Sequence, residues 1–267
     1  MIRDITIGQF YPADSIIHKL DSRVKIIFTF FYIMSLFIMD SFFAYCFVII
    51  LLLSVIKISK VPISFMFRGI KSVFIIIIFT AFLNIFTTTG GKVLYSLGFI
   101  TITTKGIYMA ILMCLRLVLL IVGSSIMTLT TTPIQLTDGI EYILKPLKKI
   151  GVPSHEIAMM MTIALRFIPT LLDETDKIMK AQQARGADFD TGNLIERVKS
   201  LIPILIPLFI SAFRRADELA IAMEARCYNG SENRTKMNIM VFKKCDYIAM
   251  FILVLYIILS FILRFIF

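Results

Sequence analysis

Long apolar stretches separated by short polar ones set the pattern of this chain. Residues 1–23 are mixed, with Ile7, Phe10 and Tyr11 followed by Pro12, Asp14, Ser15, His18, Asp21 and Arg23. A first apolar run extends from Val24 to Met39 and a second from Phe42 to Ile56, with a tight turn at Asp40 and Ser41. Asp40 is the only charged residue between Lys25 and Lys57, so the stretch reads as a helical hairpin crossing a membrane twice, not as one overlong helix. A third run covers Ser72–Phe86, after a loop that carries Lys57, Lys60, Pro62, Arg68 and Lys71. Residues 87–105 differ: Gly90, Gly91 and Gly98 stand among β-branched residues and predict a short β-hairpin. A fourth run spans Gly106–Leu129 and stops at Thr131, Thr132 and Pro133, and a last one spans Tyr247–Leu263.

Composition agrees with the pattern. The chain is 58% apolar with a mean hydropathy of +0.87, against about 45–50% apolar in soluble domains. The fold class expected is an all-α integral membrane protein with about five transmembrane helices. A net charge of +10 does not indicate nucleic acid, because the basic residues flank apolar runs, as membrane topology requires. Lys and Arg number four in the N-terminal segment, four in 57–71, two in 87–105 and sixteen in 133–244, with none in the Asp40 turn. Alternation places the N-terminus and the 133–244 segment in the cytosol and the C-terminus outside. Seven spans would give the same sidedness. Residues 1–20 hold no apolar core of signal-peptide length, so the first span serves as the insertion signal. Three regions follow: an N-terminal membrane domain with four spans (1–132), a cytosolic helical domain (133–245) and a C-terminal transmembrane helix (246–267).

The 133–244 segment balances its sixteen basic residues with thirteen acidic ones. Pro133–Ile150 reads as a helix, with a turn at Gly151 and Pro153. Ser154 is placed to N-cap a helix running to Arg185, and Asn193 to cap another. Two apolar runs, Ile157–Leu172 and Leu201–Phe213, fall short of a full span and read as helices packed beneath the bilayer. Two stretches 41 positions apart end alike: Asp176, Ala181, Ala184 and Arg185 align with Asp217, Ala222, Ala225 and Arg226. Gly186 can end the first helix in the left-handed conformation, and Asn229 with Gly230 can end the second. An arginine at a helix C-terminus gains about 0.3–1 kcal/mol from the dipole, which is the plain explanation for either one alone. The repetition favours two helix tips inserted into two sites on a dimeric partner, where a planar guanidinium pairs with carboxylates or carbonyls.

Catalytic signatures are missing. Gly90, Gly91 and Lys92 lack the first glycine of a phosphate-binding loop, since Phe86 stands there, and Val93 replaces the hydroxyl residue. His155 and Glu156 have no second histidine four residues on. Cys46, Cys114, Cys227 and Cys245 form no metal-ligand spacing or disulfide framework, and neither a metal nor a cofactor is expected. Asp173, Glu174 and Asp176 lie beside Lys177 and Lys180, as on a solvated face. Arg116 is the one basic residue deep inside a span. It either packs against another helix or subunit, or snorkels from a shallower depth. Met159, Met160, Met161 and Met223 fill a core or give an adaptable surface.

Taken together, these motifs resemble the transmembrane T component of energy-coupling-factor (ECF) transporters, the vitamin and metal importers of the ABC superfamily. The resemblance rests on the opening segment Gly8–Lys25, on Thr131, Thr132 and Pro133, and on Leu165, Arg166, Phe167, Ile168 and Pro169. It rests above all on the paired Ala184, Arg185, Gly186 and Ala225, Arg226, Cys227. Cys227 departs from the small residue, such as glycine or alanine, usual at that place. The resemblance implies a non-enzymatic scaffold in a prokaryotic cell membrane. Two separate ATPase subunits would dock on the helix ends at Arg185 and Arg226, and their motion would pass to a membrane-embedded substrate-binding S component. An intramembrane enzyme and a self-sufficient permease are the rival readings; the first lacks a catalytic constellation, and tight vitamin binding by this chain alone would favour the second.

Overall fold

The structure is a computed structural model that describes residues 10–39, 41–97, 100–187, 194–230 and 240–266. The chain is an all-α membrane protein. Its helices are α1 (Ile16–Lys19), α2 (Ser22–Ile38), α3 (Phe42–Ser59), α4 (Ile63–Thr87), α5 (Thr104–Thr130), α6 (Pro133–Leu144), α7 (Ser154–Ala184), α8 (Leu194–Ala225) and α9 (Lys244–Ile266). Among the described residues the only sheet is the expected hairpin, β1 (Val93–Leu97) antiparallel to β2 (Ile100–Thr103), with a bulge between Val93 and Tyr95.

Two compact units form. One joins Gly8–Tyr142 with Ile239–Phe267, and the other is built on Ile143–Asn238. In the first, α5 packs against α2, α3 and α4, and α9 lies against α2 and α3. Its core runs through Leu36, Met39, Tyr45, Val48, Leu52, Leu119, Val122, Ile126 and Tyr256. Tyr256 stacks with Phe28, Tyr32 and Phe47 at centroid distances of 6.2, 6.5 and 6.1 Å. Its hydroxyl shares a hydrogen bond with that of Ser35, so the aromatic stack is also anchored at its polar tip. Tyr32 lies on the α5 backbone, where Gly123 leaves room that a Cβ would occupy, and donates its hydroxyl to the Leu119 carbonyl at 2.9 Å. Outward faces are apolar: α4 exposes Phe74, Ile75, Ile76, Ile78, Phe79 and Phe82, a surface suited to hydrocarbon.

Several boundaries differ from expectation. The loop foreseen over 57–71 is short, because Lys60 in the left-handed conformation (φ 57°) and Pro62 at the N-cap end α3 and start α4 at once. Arg68 and Lys71 therefore ride on α4. The helix expected over Pro133–Ile150 breaks after Leu144 into a 3-10 turn, Lys145–Ile150, because Pro146 has no N–H for the α ladder. Pro153, not Ser154, is the N-cap of α7, and Ser154 is its first residue. Asn193 lies outside the described residues.

Among the described residues, five helical stretches are long and apolar enough to cross a membrane: Phe42–Ser59, Gly69–Thr87, Thr104–Thr130, Ser154–Ala184 and Lys244–Phe265. The number matches the expectation but the membership does not. The 17-residue α2 is at the short limit of a span, and α7 qualifies because the apolar run Ile157–Leu172 sits within one continuous 31-residue helix that passes through Pro169.

Candidate functional site

The two paired helix ends adopt the same capping geometry. At the end of α7, the N–H of Ala187 donates to Gln182 O at 3.0 Å and that of Gly186 to Gln183 O at 2.9 Å. At the end of α8, Tyr228 N–H donates to Met223 O at 3.1 Å and Cys227 N–H to Glu224 O at 2.8 Å. Both are Schellman caps, and Arg185 and Arg226 hold the same place in each, one residue before the left-handed position. That position is Gly186 (φ 89°) in α7 and Cys227 (φ 56°) in α8. The turn foreseen at Asn229 and Gly230 thus comes earlier, on a residue that carries a side chain. Ala184, Arg185, Gly186, Ala225, Arg226 and Cys227 are all exposed, and the flanking alanines leave both guanidinium stems open to approach.

The packing of α7 on α8 decides where these tips lie. Arg215 Nη2 donates to Glu174 Oε2 at 2.7 Å, and Gln182 Nε2 reaches the Pro203 carbonyl at 3.5 Å. Residue numbers rise on one helix as they fall on the other, so the pair is antiparallel. On α7, Ile163, Phe167 and Leu171 recur every four residues, and on α8 so do Ala212, Ala216 and Ala220. These two rows line a shared cavity of about 250 Å³. Followed to its end, the register sets Arg226 level with the first third of α7, about 25 residues or about 38 Å along the helix axis from Arg185. The two motifs are not one cluster; they occupy opposite ends of the antiparallel hairpin.

Arg116, half-buried on α5, turns inward. Its Nε donates to the Tyr45 hydroxyl at 2.8 Å and its Nη2 to the Met39 carbonyl at 2.9 Å, joining α5 to the α2–α3 hairpin near its turn. The carbonyl it meets belongs to the C-cap of α2, where a cation also complements the helix dipole.

A second polar centre was not foreseen from the sequence. Arg23 is 4% exposed and forms a bidentate pair with Asp21, Nε to Oδ1 at 3.0 Å and Nη2 to Oδ2 at 2.6 Å. Asp246, buried at the start of α9, accepts the Asp21 backbone N–H at 2.8 Å and the Lys243 N–H at 2.7 Å. Lys25 donates to the Thr130 and His18 carbonyls at 2.8 and 3.3 Å. The cluster holds two carboxylates and two cations, so its formal charge cancels. Burial pushes the Asp21 carboxyl up, but the hydrogen bonds and charge of Arg23 outweigh it and hold it below the ordinary carboxylate value. The opening segment is tied down around the same point. Tyr11 N–H donates to Leu129 O at 2.9 Å, and His18 Nε2 bonds the Tyr11 carbonyl at 3.0 Å, while its Nδ1 meets Ser15 Oγ at 2.6 Å. That pattern suits a neutral ring, and burial lowers the His18 pKa. Thr132 and Gln135 form a reciprocal capping box at the start of α6, with Pro133 as its first residue. Among the described residues, no three His, Cys, Asp or Glu side chains converge to hold a metal ion.

Comparison with known proteins identifies the family. Residues 13–237 match the CbiQ family model, described as cobalt transport protein. Curated relatives named energy-coupling factor transporter transmembrane protein EcfT are similar over nearly the whole chain. The one from Clostridium kluyveri is 59% identical over 250 residues, 93% of each chain. That from Ruminiclostridium cellulolyticum is 57% identical over 92% of each, and that from Bacillus subtilis 46% identical over 92% of this chain and 93% of its own. The match begins at the anchored opening segment and runs past both capped helix ends, and on this evidence the chain belongs to the CbiQ/EcfT family of transmembrane transport components.

Proposed function

We propose that the chain is the coupling subunit of an ECF-type ABC importer of vitamins. In this reading it is not itself an enzyme. Two ATPase subunits bind ATP and dock one on each tip, at Ala184, Arg185, Gly186 and at Ala225, Arg226, Cys227. Their closure shifts α7 and α8, and a membrane-embedded S component, which carries the substrate, receives the motion. The unit Ile143–Asn238 and the N-terminus face the cytosol of a prokaryotic cell.

The observation that carries this reading is the matched pair of Schellman-capped, exposed arginines at opposite ends of one antiparallel hairpin. A spacing of about 38 Å is too wide for one small ligand and fits two sites on a dimer of protein subunits. Arginine at each tip offers a planar fork to acidic side chains or carbonyls. An exposed apolar row on α8, Ile202, Ile206, Phe209 and Phe213, gives an apolar membrane partner a surface to cover.

Arg185→Glu combined with Arg226→Glu tests the proposal. Both residues are exposed, so the fold should survive the double variant. The expected outcome is loss of the ATPase subunits from the affinity-purified complex. Retention of both at wild-type yield would contradict the proposal.

A further inference from the structure

The boundaries between the two compact units include one after Tyr142 and one before Ile239, and these two connect α7 and α8 to the helices that precede and follow them. Within the membrane unit, both connections meet a single guanidinium. Arg23 lies 4.3 Å from the ring centroid of Tyr142, the last residue before the first crossing. It lies 4.0 Å from the ring centroid of Phe242, just after the second, and its Nη2 donates to the Met240 carbonyl at 3.2 Å. The guanidinium is stacked by two rings while its edge bonds Asp21 and Met240. That combination requires a planar cation, and the tetrahedral ammonium of lysine cannot supply it. The anchor is itself fixed. The bidentate Asp21 pair orients Arg23, and the Asp21 N–H is held by Asp246, whose other oxygen takes the Lys243 N–H. Gly139 seats α6 on the same turn of α2, since a Cβ there would stand 2.8 Å from both Ile26 Cδ1 and Ser22 Oγ. Tyr142 leaves its outer side open, with 49% of the residue exposed, whereas Arg23 beneath it is enclosed.

We infer that Arg23 is a positioning residue for coupling: it pins both connections of the α7–α8 unit to one point on α2, so that displacement arriving along either connection is passed to α2 and α9. The inference rests on the proposed coupling function. Without the pin, each connection could move independently against α2. The charge of Arg23 alone would not prevent this, because the ring stacking and the Met240 bond depend on the shape of the group.

Hydrogen–deuterium exchange on the intact complex, with its ATPase subunits and S component, separates the two ideas. It is measured nucleotide-free and after trapping with ATP and vanadate. In the wild-type complex, trapping should change exchange in α7 and α8 and also in residues 21–26 and 240–250. In Arg23→Lys the response of α7 and α8 should persist, while that of 21–26 and 240–250 falls to less than half. Phe242→Leu leaves the Asp21 pair and the Met240 bond in place, and should show a smaller loss of the same kind; it is the variant to read if Arg23→Lys fails to fold. A wild-type-sized response at 240–250 in both variants would overturn the inference, and so would faster exchange throughout the nucleotide-free variants with the response intact, the mark of a purely structural role. No response of α7 and α8 in the wild-type complex would overturn the coupling function itself.

Discussion

The two units are stabilised in opposite ways. The membrane unit encloses a continuous core from Tyr32 to Tyr256 and buries charged side chains, Arg23, Lys25 and Asp246, in a neutralised cluster. In the unit built on α7 and α8, the buried residues among those described are few, Ser154, Ala158 and Ile204. Its hairpin is held by an alanine row against an Ile, Phe and Leu row, one half-exposed ion pair and two helix caps. The first unit is a frame whose parts over-determine one another. The second is a pair of long helices with exposed apolar faces, the levers of the proposed coupling function. Defects should therefore be costly in the frame and cheap in the levers.

The largest effect is expected at the buried charge cluster. Asp21→Ala leaves Arg23 without its carboxylate and removes the α2 N-cap, and should cost about 3–5 kcal/mol in thermal or denaturant unfolding of the purified protein. The same carboxyl gives a pH dependence. Its native pKa lies below the ordinary value of about 3.9, so its contribution is present above that pH and drains away as pH falls through the native value. The stability difference between wild type and Asp21→Asn should narrow as pH is lowered below about 4. Next comes Gly123→Ala, whose methyl group overlaps the Tyr32 ring and should cost about 1–3 kcal/mol, read as a lowered unfolding midpoint. A loss below that range would mean that the frame has more slack than its packing implies.

Effects in the levers are smaller and differ in sign. Gly186→Ala forces a Cβ into the left-handed conformation and should destabilise the α7 cap by about 1 kcal/mol, whereas Cys227→Gly removes that strain and should stabilise the α8 cap by a similar amount. Amide exchange at Ala187 and Tyr228 reports each cap directly. The smallest effect is expected from Arg215→Ala. Its pair with Glu174 is partly solvated, with side chains 34% and 22% exposed, and should contribute no more than about 1 kcal/mol to hairpin stability.

The apolar runs made most of the membrane helices legible, and α3, α5 and α9 begin and end within a few residues of expectation. The helix end at Arg185 was legible because Gly186 announces a left-handed cap. The end at Arg226 was legible too, but its left-handed residue was expected at Asn229 and Gly230 and comes at Cys227, which takes that conformation without being glycine. The opposite placement of the two arginines was not legible at all. Periodicity fixes each helix but not the register of one against another. The Arg23 cluster stayed hidden for the same reason, since Asp21 and Asp246 meet across 225 positions. Charges at the foot of a span read as topology signals until the fold shows them enclosed.

The most direct test of the central claim is site-specific photocrosslinking from the two tips in the intact complex. A benzophenone side chain would replace Arg185 in one preparation and Arg226 in another, with the adducts mapped by mass spectrometry. Each tip is expected to join an ATPase subunit, at equivalent surfaces of the two subunits. Crosslinks from both positions to lipid, to the S component or back to this chain, with none to an ATPase, would contradict it.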